Sequence, residues 1–372
     1  MKRFGLITFI LSILLLFTQI LRSPLSILSY EKQFFLGLDG FRVQSVQIEQ
    51  ENEESLEIKY LVGGFGSPIV LVHGLVDNKE GWSDVLQILG KKHRVIAIDL
   101  PAHGESDPQH NTTSIPFMID ALHRVIEQEA QITQKIISQL EKKLSKDVIF
   151  SANSRITLTE EEQLQIDTDF NKITLVGHGL GGWIVGEYTL HHPATIQQIF
   201  LVNPQSSNID VSYKKLFPSS EEDITQKMHN AFGQEIWIPN FLIKDILQVH
   251  QKSIYTNLFY ESLNLLPLEN FIQNIDQPLQ NIKLNTNQNT ESTEQMSTET
   301  TGISSNINQT KRIGIHVLWG TEDKILDIEL HGKPLANTSP NIGFHTLSDC
   351  GHAPQYGCPV KLGQQIELLI DN

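Results

Sequence analysis

A mostly parallel, doubly wound α/β sheet is the fold class the sequence predicts, on three observations. Short apolar runs recur at Ile69–Val72, Val95–Leu100, Ile173–Val176, Ile199–Val202 and Ile313–Leu318. Runs this short with few polar positions mark strands covered on both faces. Helix-like stretches such as Trp82–Gly90 and Gly182–Leu190 lie between them, and strands alternating with helices imply a parallel sheet with helices on both sides. Glycine- and histidine-bearing turns follow several of the runs, at the carboxyl ends of strands where such sheets bind ligands.

The elements follow in order. Lys2 and Arg3 precede an uncharged apolar run, Phe4–Leu21, the layout of a signal sequence. The run is near the minimum length for crossing a bilayer. Arg22, Ser23 and Pro24 stand where a small-residue cleavage site would be. Residues 1–30 are therefore read as an uncleaved membrane-targeting helix with Lys2 and Arg3 in the cytoplasm and the body outside the inner membrane. A cleaved signal peptide, giving a secreted or periplasmic protein, is the alternative. Residues 41–372 form the domain. Phe41–Ile48 and Leu56–Val62 alternate roughly, as early strands do. Pro116–Lys146 has helical periodicity, and Asp147–Asp169 is polar and irregular. Residues 206–275 carry amphipathic stretches at Ile224–Phe232, Phe241–His250 and Ile254–Leu265, the size and place of a helical lid. Residues 277–310 are rich in Asn, Gln, Thr and Ser. They lack the apolar surface needed to order themselves and are expected to be disordered.

The formal charge of -15 disfavours nucleic acid and anionic headgroups as partners. The two cysteines, Cys350 and Cys358, flank His352. Pairing in an oxidising compartment would clamp that loop, and the sequence leaves this open. The Cys and His spacings match no metal site, so the reading calls for no metal and no cofactor.

The chemistry sits at strand ends: His73-Gly74-Leu75, Asp99 to Ser106, Gly177-His178-Gly179-Leu180-Gly181, Trp319 to Asp323, and Asp349-Cys350-Gly351-His352-Ala353-Pro354. In this order and spacing the chain resembles α/β-hydrolases of the esterase and lipase type, including anchored or secreted bacterial lipases and carbon–carbon bond hydrolases. The likeness covers roughly Leu56 to Leu369, apart from the polar insertions. It implies His352 as general base, Asp323 as its orienting acid, and the backbone N–H groups of Leu75 and Leu180 as the oxyanion hole. Gly177 and Gly181 would allow the sharp strand-to-helix elbow. Imidazole can take and return a proton near neutral pH, a carboxylate fixes its tautomer, and backbone donors are rigid. Asp210 is the alternative acid. Ser206, Ser207 and His178 are weaker candidates at the site, with His178 expected to point away from it.

The centre departs from the pattern. Gly179 stands where the family has a serine, or sometimes an aspartate or cysteine, and it carries no attacking atom. Three functions follow. The first is a catalytically impaired hydrolase that binds a small apolar ester- or acyl-type ligand. The second is an esterase or lipase working through a His352-activated water or a displaced nucleophile. The third is a non-catalytic ligand-binding or interaction protein.

Overall fold

The computed structural model describes residues 24–49, 55–106, 114–150, 168–205, 217–262, 267–275 and 312–371. Eight strands form one sheet among these residues: β1 (Arg42–Ile48), β2 (Leu56–Gly63), β3 (Pro68–Val72), β4 (Arg94–Ile98), β5 (Ile173–His178), β6 (Ile196–Val202), β7 (Gly314–Gly320) and β8 (Ile342–Leu347). Their order is β1-β2-β4-β3-β5-β6-β7-β8. β2 pairs antiparallel with β1 and β4, and every other pairing is parallel. The main helices are α1 (Pro24–Leu38), α2 (Ser83–Leu89), α3 (Ile115–Phe150), α4 (Leu180–His191), α5 (Glu221–Phe232), α6 (Asn240–His250), α7 (Ser253–Ser262), α8 (Leu268–Ile275) and α9 (Pro359–Ile370).

Alternation within the apolar runs builds two cores, one on each face of the sheet. Val70 and Val72 of β3 and Ile96 and Ile98 of β4 enter the first core, with Met118, Leu122 and Val125 of α3 and Ile184 of α4. Ile69, Leu71, Val95 and Ala97 enter the second, with Val85, Leu86 and Leu89 of α2 and Leu362 and Ile366 of α9. Successive strand side chains point to opposite faces, so a fully apolar run must be covered twice. Burying aliphatic side chains of this size contributes roughly 1.5–3 kcal/mol each.

Several expectations change in detail. The helix from Ile115 continues to Phe150, past the boundary at Lys146 set by the polar residues that follow. Residues 151–167 lie outside the described residues, as do most of the expected anchor, residues 1–23, and the polar insertion, residues 277–310. Residues 24–30 belong to α1, which packs against α2 and α6. Among the described residues four helices, not three, stand between β6 and β7. The added one is α8, whose Leu268, Phe271, Ile272 and Ile275 are buried at helical spacing. Among the described residues no helix is long and apolar enough to cross a membrane.

Candidate active site

β5 runs into α4 through Gly179, whose φ of 53° and ψ of -119° make a sharp reversal. Its neighbours dictate that turn. A Cβ on Gly177 would collide with the carbonyl oxygen of Gly181, and one on Gly181 with those of Val72 and His73. Glycine is therefore a steric requirement at both positions. Backbone bonds fasten the turn: Gly179 N–H donates to Val202 O at 3.1 Å, and Gly179 O accepts from Gln205 N–H at 3.2 Å. A Cβ on Gly179 itself would meet only Gly74 Cα, at 3.8 Å. Space for a side chain exists there, and φ is the one obstacle to it. Leu180 is the first residue of α4, so its N–H has no acceptor within the helix. Leu75 follows Gly74 in the turn after β3, on the side of the elbow where Gly74 Cα stands.

The carboxylate of Asp323, placed by the turn after β7, is surrounded by donors. Oδ1 accepts from the backbone N–H groups of Ile325 at 2.8 Å and Leu326 at 2.7 Å. Oδ2 accepts from Asn203 Nδ2 at 2.7 Å and lies 2.8 Å from His352 Nδ1. An ionised carboxylate accepts at every position, so the proton of this last bond sits on His352 Nδ1 and leaves Nε2 as the basic nitrogen. Asn203 was not apparent as a site residue. It has a φ of 40°, and its Oδ1 also accepts from Gly320 N–H at 3.3 Å.

His178 departs from expectation. Expected to point away from the site, it instead packs against the loop that carries His352, with the two imidazole rings 5.1 Å apart. Gln355 Nε2 donates to His178 Nδ1 at 3.0 Å, which fixes the ring proton on Nε2, and Nε2–H donates to His352 O at 2.9 Å. Burial, reinforced by the neighbouring His352, lowers its pKa to about 4, so the ring stays neutral near pH 7. Gln355 also reaches Asp77 Oδ2 at 3.1 Å, and Tyr356 OH donates to Asp77 Oδ1. Cys350 and Cys358 are bonded, closing the loop around His352.

His73 serves the facing turn. Leu100 N–H donates to its Nε2 at 3.0 Å, so Nδ1–H donates to Gly74 O at 2.7 Å. This joins the turn after β3 to the turn after β4. His103 is fully buried with its Nδ1 on Pro101 O at 3.0 Å, and burial lowers its pKa to about 3. Of the alternatives, Asp210, Ser206 and Ser207 lie outside the described residues. Among the described residues no cluster of three or more His, Cys, Asp or Glu side chains could hold a metal ion.

The end of α5 packs against the loop that carries His352. Ala353 N–H donates to Ala231 O at 2.7 Å, and Gly233 packs against Gly351. On the other side Tyr255 of α7 donates to Ala102 O at 3.2 Å. The sequence pattern of the alpha/beta hydrolase family matches residues 69–362. The chain belongs to that family. Among its relatives in the family is the monoacylglycerol lipase ABHD6 of Homo sapiens, 20% identical over 353 residues, covering 89% of this chain and 83% of that protein. Of the solved hydrolase structures it resembles, a membrane phospholipase A described as a bacterial virulence factor superposes with a TM-score of 0.63 at 19% identity, covering 100% of this chain and 98% of the other. A putative lipase from Acinetobacter baumannii superposes with a TM-score of 0.61 at 19% identity, covering 92% and 95%. At such identities these superpositions establish the shared fold. Gly179, Asp323 and His352 thus follow the carboxyl ends of β5, β7 and β8, strands that run parallel in one sheet.

Proposed function

We propose that this chain is a lipase-like alpha/beta hydrolase that binds an apolar ester- or acyl-type ligand beneath a lid formed by α5 to α8, without efficient covalent turnover. His352 is the base position, Asp323 its orienting acid, Leu75 and Leu180 the oxyanion donors, and Gly179 the substituted nucleophile position. The observation that carries this reading is the contrast at Gly179: the elbow is fully formed, yet its central residue carries no attacking atom. Loss of the serine alone costs on the order of a million-fold in subtilisin, and about a thousand-fold over water survives from binding and oxyanion donors. Similarity to lipases supports the ligand class. The apolar run Phe4–Leu21 supports a membrane-held protein with its domain outside the inner membrane.

A second reading has one observation in its favour. The open space beside Gly179 could admit a water, and His352 Nε2 would activate it for direct attack on an ester carbonyl. A fluorophosphonate probe decides between these and a displaced serine. The native chain should resist labelling, and Gly179→Ser should gain it. Strong labelling of the native chain at another serine overturns the impaired-enzyme reading. His352-dependent hydrolysis of a short-chain p-nitrophenyl ester without labelling favours the water route.

A further inference from the structure

Two polar side chains of α1 face the domain: Gln33 Nε2 donates to Glu80 Oε1 at 2.7 Å and Glu105 Oε2 at 2.9 Å, and Lys32 Nζ donates to Glu80 O at 3.2 Å, while Glu31 is exposed. Leu36 is buried beside them. The carboxylates belong to a group assembled around the buried Lys79, whose Nζ lies 2.6 Å from Asp99, 2.6 Å from Glu105 and 2.8 Å from Glu80. Tyr30, Phe34 and Leu38 recur every fourth residue on the opposite side and are 60%, 64% and 70% exposed. Residues four apart share one helix face, so these three form a stripe about 12 Å long. Phe35 is exposed next to it.

Exposed aromatics also stand on and before α6, the helix that the start of α1 touches. Leu25 N–H donates to Asp245 Oδ2 of α6 at 2.8 Å. Phe241 lies one turn before Asp245 on α6 and is exposed, and Trp237, just before that helix, is 86% exposed. Exposed aromatic and aliphatic side chains on two helices that touch each other suit a protein or membrane contact. The chain indicates which. Only Arg22 and Ser23 separate the apolar run ending at Leu21 from Pro24, where α1 begins. A segment that leaves a bilayer at Leu21 brings α1 to the headgroup layer, where aromatic side chains settle. The overall charge of -15 favours a zwitterionic surface over an anionic one.

We propose that Tyr30, Phe34 and Leu38 of α1, with Trp237 and Phe241, rest in the headgroup layer of a zwitterionic bilayer, so that α1 and α6 face lipid. The proposal rests on the membrane-held reading above and adds which face of the domain touches the membrane. Both native cysteines are bonded, so a cysteine introduced by Phe34→Cys is the only free thiol and accepts an environment-sensitive fluorophore. Leu330→Cys, at an exposed site after β7, serves as reference, and Leu38→Cys replaces Phe34→Cys if that variant fails to fold. The full chain is reconstituted into phosphatidylcholine vesicles, floated on a density gradient, and quenched with either nitroxide-bearing lipid or aqueous iodide.

The label at position 34 should be quenched at least threefold more by the lipid nitroxide than the label at position 330, and iodide should show the reverse order. Equal iodide quenching at both positions in floated protein overturns the docking face while leaving the anchor intact. A position 34 label shielded from both quenchers means that a second copy or the chain's own first residues cover the stripe, and also overturns it. A chain that does not float refutes the anchor itself, a result read separately from the quenching.

Discussion

The loop that carries His352 and the turn at Gly179 are neighbours, and they are built to different standards. Each oxygen of Asp323 accepts two hydrogen bonds, His352 is held through its ring and its carbonyl, and a disulfide closes the loop. At Gly179 the backbone is equally fixed, yet nothing nearer than Gly74 Cα borders the position of a side chain. The difference teaches that the elbow's geometry does not depend on its central residue. Gly177 and Gly181, which admit no Cβ, set the turn, and the backbone bonds to Val202 and Gln205 hold it. A side chain could be returned to residue 179 without rebuilding the site.

Returning it is the strongest way to break or sharpen the contrast. Gly179→Ser should raise p-nitrophenyl ester hydrolysis by on the order of 10^5-fold or more, approaching what serine loss costs in subtilisin. An unchanged rate in a folded variant would show that the His352 side is not poised for that position. In the Gly179→Ser background, Asp323→Asn should lower kcat by on the order of 10^4-fold by allowing the wrong imidazole tautomer, as in the trypsin example. A loss under tenfold would mean that Asp323 does not orient the base.

Two smaller effects read the folded state. Gly181→Ala should cost roughly 3 kcal/mol or more, because its Cβ meets backbone carbonyls that cannot move aside. Gly179→Ala should cost about 1–3 kcal/mol, from its positive φ alone. Urea denaturation measures both, and equal costs would erase the distinction between the flanking and central glycines.

The last effect is the pH dependence of the His178–Gln355–Asp77 chain that braces the His352 loop. Burial holds His178 near 4, against an ordinary value of 6.5. Between those values the unfolded chain binds a proton that the folded chain refuses. This contribution is therefore full above about pH 6.5 and is lost as pH falls toward 4. It amounts to on the order of 3 kcal/mol. His178→Gln should flatten the stability–pH curve across that window relative to the native chain, and identical slopes would remove His178 from the brace.

Legibility in the sequence followed how local each determinant is. Five strands read as apolar runs because both faces of the sheet are covered there, and β1 and β2 read from their alternation. β8 did not: Ile342–Leu347 is an edge strand, mostly half-buried, with Gly343, His345 and Thr346 interrupting its pattern. α9 did carry a signal that went unread, since Leu362 and Ile366 are four apart behind a proline at the first helical position. The order and spacing of the turns, through the family resemblance they carry, point to His352, Asp323 and Gly179 as candidates. Asn203, Gln355 and Asp77 were out of reach, because Asn203 meets its partner 120 residues away, and Gln355 meets Asp77 278 away. Only the folded sheet brings such partners together, and no periodicity encodes them.

The Cys350–Cys358 bond closes a ring in which His352, Gln355 and Tyr356 all lie. His352 and the Gln355 and Tyr356 contacts that hold its loop are therefore tethered as one covalent unit, and cutting the bond would loosen them together. Such a ring restricts the chain before folding by about 2–3 kcal/mol of conformational entropy. A reducing milieu would thus slacken His352 and its supporting contacts at once, while the glycine elbow, which contains no sulfur, would keep its shape.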